Sequence, residues 1–144
     1  MSADRTAPSS DEHDGLMHTS TLIDLADLDP QSLPAQPSIC AVTLAELAVG
    51  PLVAATPQEQ AARQAHLQQA ESDFDPLPFD AAAARAFGAV AASLRAAGRK
   101  PAARSYDAMI AAVAISRGLP LYTANPADVL DIDGLDVRTV RRAP

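Results

Sequence analysis

The stretch Ser105-Tyr106-Asp107-Ala108-Met109-Ile110-Ala111-Ala112-Val113-Ala114-Ile115 limits the possible folds more than any other part of this chain. Beyond Asp107 every residue is apolar or small until Ser116 and Arg117. A helix that is apolar on all sides sits inside a fold, and this one is too short to cross a bilayer. Its one carboxylate, Asp107, stands at the mouth. An isolated buried charge is costly, so the group must be solvated, paired or bound to a metal. Favourable interaction with the helix dipole is the plainer alternative. The segment alone leaves both open.

The flanking sequence supplies the rest of an α/β pattern. A short strand is expected to end near His18, followed by a helix capped by Thr19 or Ser20 and stopped by Asp29-Pro30. Ser38–Val42 reads as a second strand. Thr43 then caps a helix to Gly50, and Thr43 and Glu46 have capping-box spacing. A polar helix opens at Pro57 and runs to about Ala70. Asp80 caps an alanine-rich helix that Gly98 terminates, and the Asp107 helix ends at Arg117-Gly118. Leu119–Thr123 reads as a buried strand, Asn125-Pro126 as a turn, and Leu135–Val140 as a final alternating strand. Short strands alternating with helices imply an α/β domain with a mainly parallel sheet. Residues 1–14 are polar and without period, and read as a disordered extension to a single domain of residues 15–144.

Composition excludes several classes. Aromatics make up 3% of the chain and Trp is absent, so the core is built of Ala, Leu, Val and Ile. The single cysteine, Cys40, allows no internal disulfide and suits a reducing cytoplasm. No stretch reads as a membrane span or a signal peptide. A formal charge of −7 argues against nonspecific nucleic-acid binding by the whole surface. The bases are concentrated, however: nine of the 11 Lys and Arg lie at or after Arg85. No glycine-rich loop follows the first strand, which speaks against a dinucleotide site.

In parallel α/β sheets ligands gather beyond the carboxyl ends of the strands. His18, Glu46, Asp107 and the Asn125–Asp128 turn are all expected there. Clustered carboxylates repel one another, and a hard cation with oxygen ligands removes the repulsion. Mg²⁺, or alternatively Mn²⁺, is the natural guest, and such an ion activates water and stabilises charge on a scissile phosphate.

Four pieces of the chain, in this order and spacing, carry a family likeness: Leu16-Met17-His18-Thr19-Ser20-Thr21-Leu22-Ile23-Asp24, the Thr-Leu-Ala-Glu-Leu of Thr43–Leu47, the Tyr-Asp-Ala-Met-Ile-Ala-Ala of Tyr106–Ala112, and the Gly-Leu-Pro-Leu-Tyr-Thr-Ala-Asn-Pro-Ala-Asp of Gly118–Asp128. Over residues 16–140 the chain resembles the PIN-domain nucleases, in particular VapC-type toxins of bacterial toxin–antitoxin pairs. The resemblance implies a three-layer α/β/α sandwich and a Mg²⁺-dependent, cytoplasmic endoribonuclease. It further implies a structured RNA target (tRNA or rRNA), a cognate VapB-type antitoxin and a homodimer. Glu46 matches the family's second acid and Asp107 its third. Asn125 falls at the fourth position, with Asp128 three residues on as a further carboxylate. Arg99, Lys100 and Arg104 are candidate RNA contacts, or an ordinary solvated loop.

The first position departs from the family. The pattern there is Asp-Thr-Ser, and this chain has His18-Thr19-Ser20. Imidazole suits Zn²⁺ or Mn²⁺ better than Mg²⁺, and the change removes a negative charge. Two alternatives follow: a catalytically impaired member that binds antitoxin or RNA without cleaving, and a small interaction module whose carboxylates only cap helices.

Overall fold

The computed structural model describes residues 14–144. Its centre is β1 (Asp14–Met17), which pairs in parallel with β2 (Gln36–Ser38) on one side and β3 (Leu121–Thr123) on the other. A fourth strand, β4 (Val137–Thr139), pairs in parallel with β3, so the order is β2-β1-β3-β4. The helices are α1 (Thr19–Ile23), α2 (Ala41–Val49), α3 (Pro57–Asp73), α4 (Ala81–Ala96) and α5 (Ser105–Arg117). Asp14 opens β1; the rest of the expected N-terminal extension lies outside the described residues.

Two neighbouring residues of β1 show why the sheet is the middle of three layers. Successive strand side chains point to opposite faces. Leu16 joins a core with Val90 and Leu94 of α4 and Ile110 and Val113 of α5. Met17 joins a second core with Leu47 of α2 and Ala70 of α3. Both are fully buried. Apolar cover on both faces is the usual condition of a parallel sheet. The expected mainly parallel α/β/α architecture therefore holds.

Local chemistry sets several helix ends. The Asp80 carboxylate accepts from the Ala83 N–H at 3.0 Å and starts α4. Gly118, at φ 66°, ends α5 in the left-handed region, and the Leu119 N–H donates back to Ala114 C=O at 2.9 Å. Pro37 lies in β2, an edge strand, where a missing N–H is tolerated.

Three expectations are corrected. The apolar Ser38–Val42 run is not a strand: β2 stops at Ser38, and α2 already begins at Ala41 behind Cys40. Thr43 therefore lies inside α2 and caps nothing. A side-chain cap exists instead at α3, where Thr56 accepts from the Glu59 N–H and Glu59 accepts from the Ala55 N–H, one residue before the cap. Likewise, neither Thr19 nor Ser20 caps α1; both lie within it, behind His18.

Gly15 marks a close approach. A Cβ there would lie 2.4 Å from Tyr122 Cε1 and 2.9 Å from Pro34 Cβ. Gly15→Ala must push aside a ring in the neighbouring strand and a rigid proline. It should destabilise the chain by about 1–3 kcal/mol, the usual cost of overpacking. Chemical denaturation measures this directly; an unchanged midpoint would show that the two neighbours yield freely.

Candidate metal and nuclease site

All four strands run the same way, so their carboxyl ends share one edge, and the candidate residues gather there. His18 follows β1 directly. Its backbone N–H donates to Tyr122 C=O at 3.0 Å, which ties it to β3. The ring is buried, with Nε2 2.7 Å from Asp107 Oδ1. A carboxylate can only accept, so Nε2 carries the proton. The other ring nitrogen, Nδ1, lies 2.9 Å from Ser20 Oγ.

Asp107 stands in the first turn of α5, as its sequence position requires. It does not cap the helix; it faces His18. Asp128, in a short 3₁₀ turn over Pro126–Val129, comes to the same point. His18, Asp107 and Asp128 each offer one ligand atom, and the three lie within 4.8 Å of one another. A divalent cation at about 2.0–2.6 Å from each donor accepts separations of this size. One imidazole nitrogen and two carboxylates are a workable donor set for a divalent transition metal.

Glu46 approaches from α2. Its Oε1 accepts from Thr19 Oγ1 at 2.6 Å, and Thr19 Oγ1 is 2.9 Å from Thr43 Oγ1. Because Thr19 donates to Glu46, Thr43 donates to Thr19. The two buried hydroxyls thus form a relay that holds the carboxylate, and this replaces the expected capping box. Glu46 and Asp107 line one cleft of about 430 Å³ together with Ala102, Arg104, Ser105 and Tyr106. They are on the same side of the molecule.

Asn125 is held in two ways. Its backbone N–H donates to Thr123 Oγ1, and its Nδ2 donates to Ser20 Oγ at 3.2 Å. Through Ser20 it is linked to His18. The three bases divide. Arg104 lines the cleft and donates to Asp128 C=O at 3.2 Å. Arg99 is paired with Asp131 at 2.6 Å. Lys100 is exposed. Sequence reading missed the hydroxyl relay and the half-exposed Tyr106 in the cleft wall, because neither Thr43 nor Tyr106 announces its neighbours by spacing.

Burial raises the Glu46 carboxyl above its ordinary range; the Thr19 hydroxyl and His18 oppose this, while nearby Asp107 adds to it. A carboxyl raised in the folded state contributes stability below its unfolded pKa, and that contribution is lost as pH rises through the folded one. Glu46→Gln keeps an oxygen for Thr19 but cannot ionise. Without divalent cations, its melting temperature relative to the native chain should therefore rise as pH goes from about 4 to about 7. A pH-independent difference would refute the account of Glu46 burial.

Residues 19–133 match the family described as PIN domain. The chain is 39% identical over 123 residues to Ribonuclease VapC5 of Mycobacterium tuberculosis, covering 83% of this chain and 88% of that protein. Among solved structures it is similar to VapBC-5 of M. tuberculosis, a member of the VapBC family of toxin-antitoxin systems. That match has a TM-score of 0.76 at 36% identity and covers 88% of this chain and 98% of that one. VapBC2 of Rickettsia felis shares the fold, with a TM-score of 0.69 at 18% identity over 88% of this chain and 98% of that one.

Proposed function

This chain belongs to the PIN-domain family, and on that premise we propose that it is the ribonuclease toxin of a VapBC-type pair. The reading specifies a divalent-metal-dependent endoribonuclease that cleaves structured RNA, tRNA or rRNA, and so inhibits translation. Its single strongest support is the meeting of His18, Asp107 and Asp128 within 4.8 Å, with Glu46 lining the same cleft as Asp107. These residues are far apart in sequence and on four different segments. Capping roles alone do not account for the convergence.

Asp107 and Asp128 would hold the ion, with Glu46 completing the acidic cleft and His18 at the family's first position. When bound, a divalent ion lowers the pKa of water and neutralises charge at a scissile phosphate. The residues of the chain do the remaining work. Thr19 and Thr43 keep the Glu46 carboxylate directed into the cleft. Arg104 supplies a positive charge beside it, suited to a backbone phosphate. Tyr106 offers a half-exposed ring on which an unpaired base can stack.

A VapB-type antitoxin is the partner in this reading, supported by the likeness to the VapBC-5 structure. A homodimer belongs to the same reading, and the exposed Leu52 and Val53 (82% and 66% accessible) support it. Among the described residues no helix is long and apolar enough to cross a membrane.

One observation favours a second reading. The 2.7 Å His18–Asp107 bond occupies a carboxylate that the nuclease needs. The chain would then bind antitoxin or RNA without cutting. The deciding experiment is cleavage of tRNA and rRNA in Mg²⁺ and in Mn²⁺ by the native chain and by His18→Asp. Cutting by the native chain supports the toxin reading. Cutting by His18→Asp alone supports the impaired reading. No cutting by either overturns the toxin reading, and failure of the native chain to bind RNA or a VapB-type antitoxin overturns the second.

A further inference from the structure

We propose that His18 is a metal ligand through Nε2, and that it makes this site select Mn²⁺ or Zn²⁺ over Mg²⁺. The inference rests on the metal-dependent reading above and deepens it.

The ring is already held as a ligating histidine is held. It is 4% exposed, Nε2 lies 2.7 Å from Asp107 Oδ1, and one ligand atom each of His18, Asp107 and Asp128 lies within 4.8 Å of the others. The far nitrogen, Nδ1, is engaged by Ser20 Oγ at 2.9 Å, and Ser20 Oγ is in turn reached by Asn125 Nδ2 at 3.2 Å. A partner on the second ring nitrogen is what fixes tautomer and orientation in metal-bound histidines.

The proton inventory also closes. With no ion bound, Nε2–H donates to Asp107, and the Ser20 hydroxyl donates to Nδ1. For Nε2 to offer its lone pair to a cation, the proton must reside on Nδ1. Nδ1–H then donates to Ser20 Oγ, and the hydroxyl hydrogen turns away. A hydroxyl oxygen has two lone pairs, so it can accept from Nδ1 and from Asn125 Nδ2 together. Ser20 therefore serves both tautomers without moving a heavy atom, and the exchange releases no net proton. A carboxylate or amide in place of Ser20 would serve only one tautomer or need to flip.

Selectivity follows from the donors. Mg²⁺ requires near-octahedral oxygen ligation and dehydrates reluctantly. A buried imidazole in place of a carboxylate removes an oxygen donor and a negative charge, both of which Mg²⁺ uses. Borderline cations bind imidazole nitrogen well.

The test uses the full chain and the metals alone, by calorimetric titration with Mn²⁺, Zn²⁺ and Mg²⁺. The ratio of Mn²⁺ to Mg²⁺ affinity should be at least about tenfold larger for the native chain than for His18→Asp. Ser20→Ala should weaken Mn²⁺ binding about 10–100-fold. Pulsed electron paramagnetic resonance of the Mn²⁺-loaded native chain should show coupling to a directly bound nitrogen. That coupling should persist in His66→Gln and vanish in His18→Asp. The signal is read first on the native chain, so it does not depend on a variant folding. Mn²⁺ bound without nitrogen coupling, or an affinity ratio indifferent to His18→Asp, overturns the proposal. If the native chain binds no cation while His18→Asp binds Mg²⁺ and cuts RNA, the proposal fails and the family chemistry stands. If neither form binds a cation, the metal-dependent reading itself falls.

Discussion

Asp107→Asn should keep the fold and lower RNA cleavage by about 10²–10³-fold, the loss typical when one pre-placed electrostatic group of an active centre is removed. The reason lies in what the substitution keeps. The amide would retain an oxygen for the His18 Nε2–H, now 2.7 Å from Asp107 Oδ1, and nearly the same volume. It loses only the charge, which is what a divalent cation needs. Circular dichroism should therefore be unchanged while cleavage collapses. Asp107→Ala is a different experiment. It strands the Nε2–H of a buried histidine and should cost about 1–3 kcal/mol of stability as well. If Asp107→Asn cut RNA within about threefold of the native chain, the acid would be a helix-end charge and no part of the cleavage site.

Ile110→Ala should lower stability by about 3 kcal/mol, within the range for deleting most of a buried aliphatic side chain. For a chain of this size that corresponds to a fall in melting temperature of about 6–12 °C. Ile110 is fully buried in α5, in the core that contains Leu16, Val90 and Leu94. Its helix neighbours Ala108, Ala111, Ala112 and Ala114 are already minimal and cannot swell into the cavity. The effect should reach the chemistry, because Ile110 is one turn from Asp107 and seats that turn against the sheet. Thermal unfolding without divalent cations gives the stability change. A loss under about 1 kcal/mol would mean that α5 is not clamped as described.

Much of this architecture could be read from residue order. The limits of α5 follow from its uninterrupted apolar run and from Gly118, and α4 from Asp80 and Gly98. These are local signals, decided within a few residues. The errors fall where a local signal had a tertiary competitor. Ile39, Cys40 and Val42 have strand-like side chains, yet Ala41 already begins α2. Cys40 and Leu77 instead form a single parallel bridge, in which the Leu77 N–H donates to Ile39 C=O. Thr43 and Glu46 have the spacing of a cap, but Thr43 donates to a threonine 24 residues away. The site was legible as a set of carboxylates at one sheet edge. Its wiring was not, since a hydroxyl's partner depends on distances that no spacing rule encodes.

By itself, then, the order of residues determined that strands and helices alternate and which segments must be buried. It also put Glu46, Asp107 and the Asn125–Asp128 turn at the carboxyl edge of a parallel sheet. Only the folded chain decided that His18 bonds Asp107 rather than facing an open pocket, and that Glu46 hangs from Thr19. It likewise decided that Ser20 joins His18 to Asn125. Periodicity and caps act over one or two turns and are written in neighbours, whereas hydrogen bonds between side chains dozens of residues apart exist only once packing has set their separation.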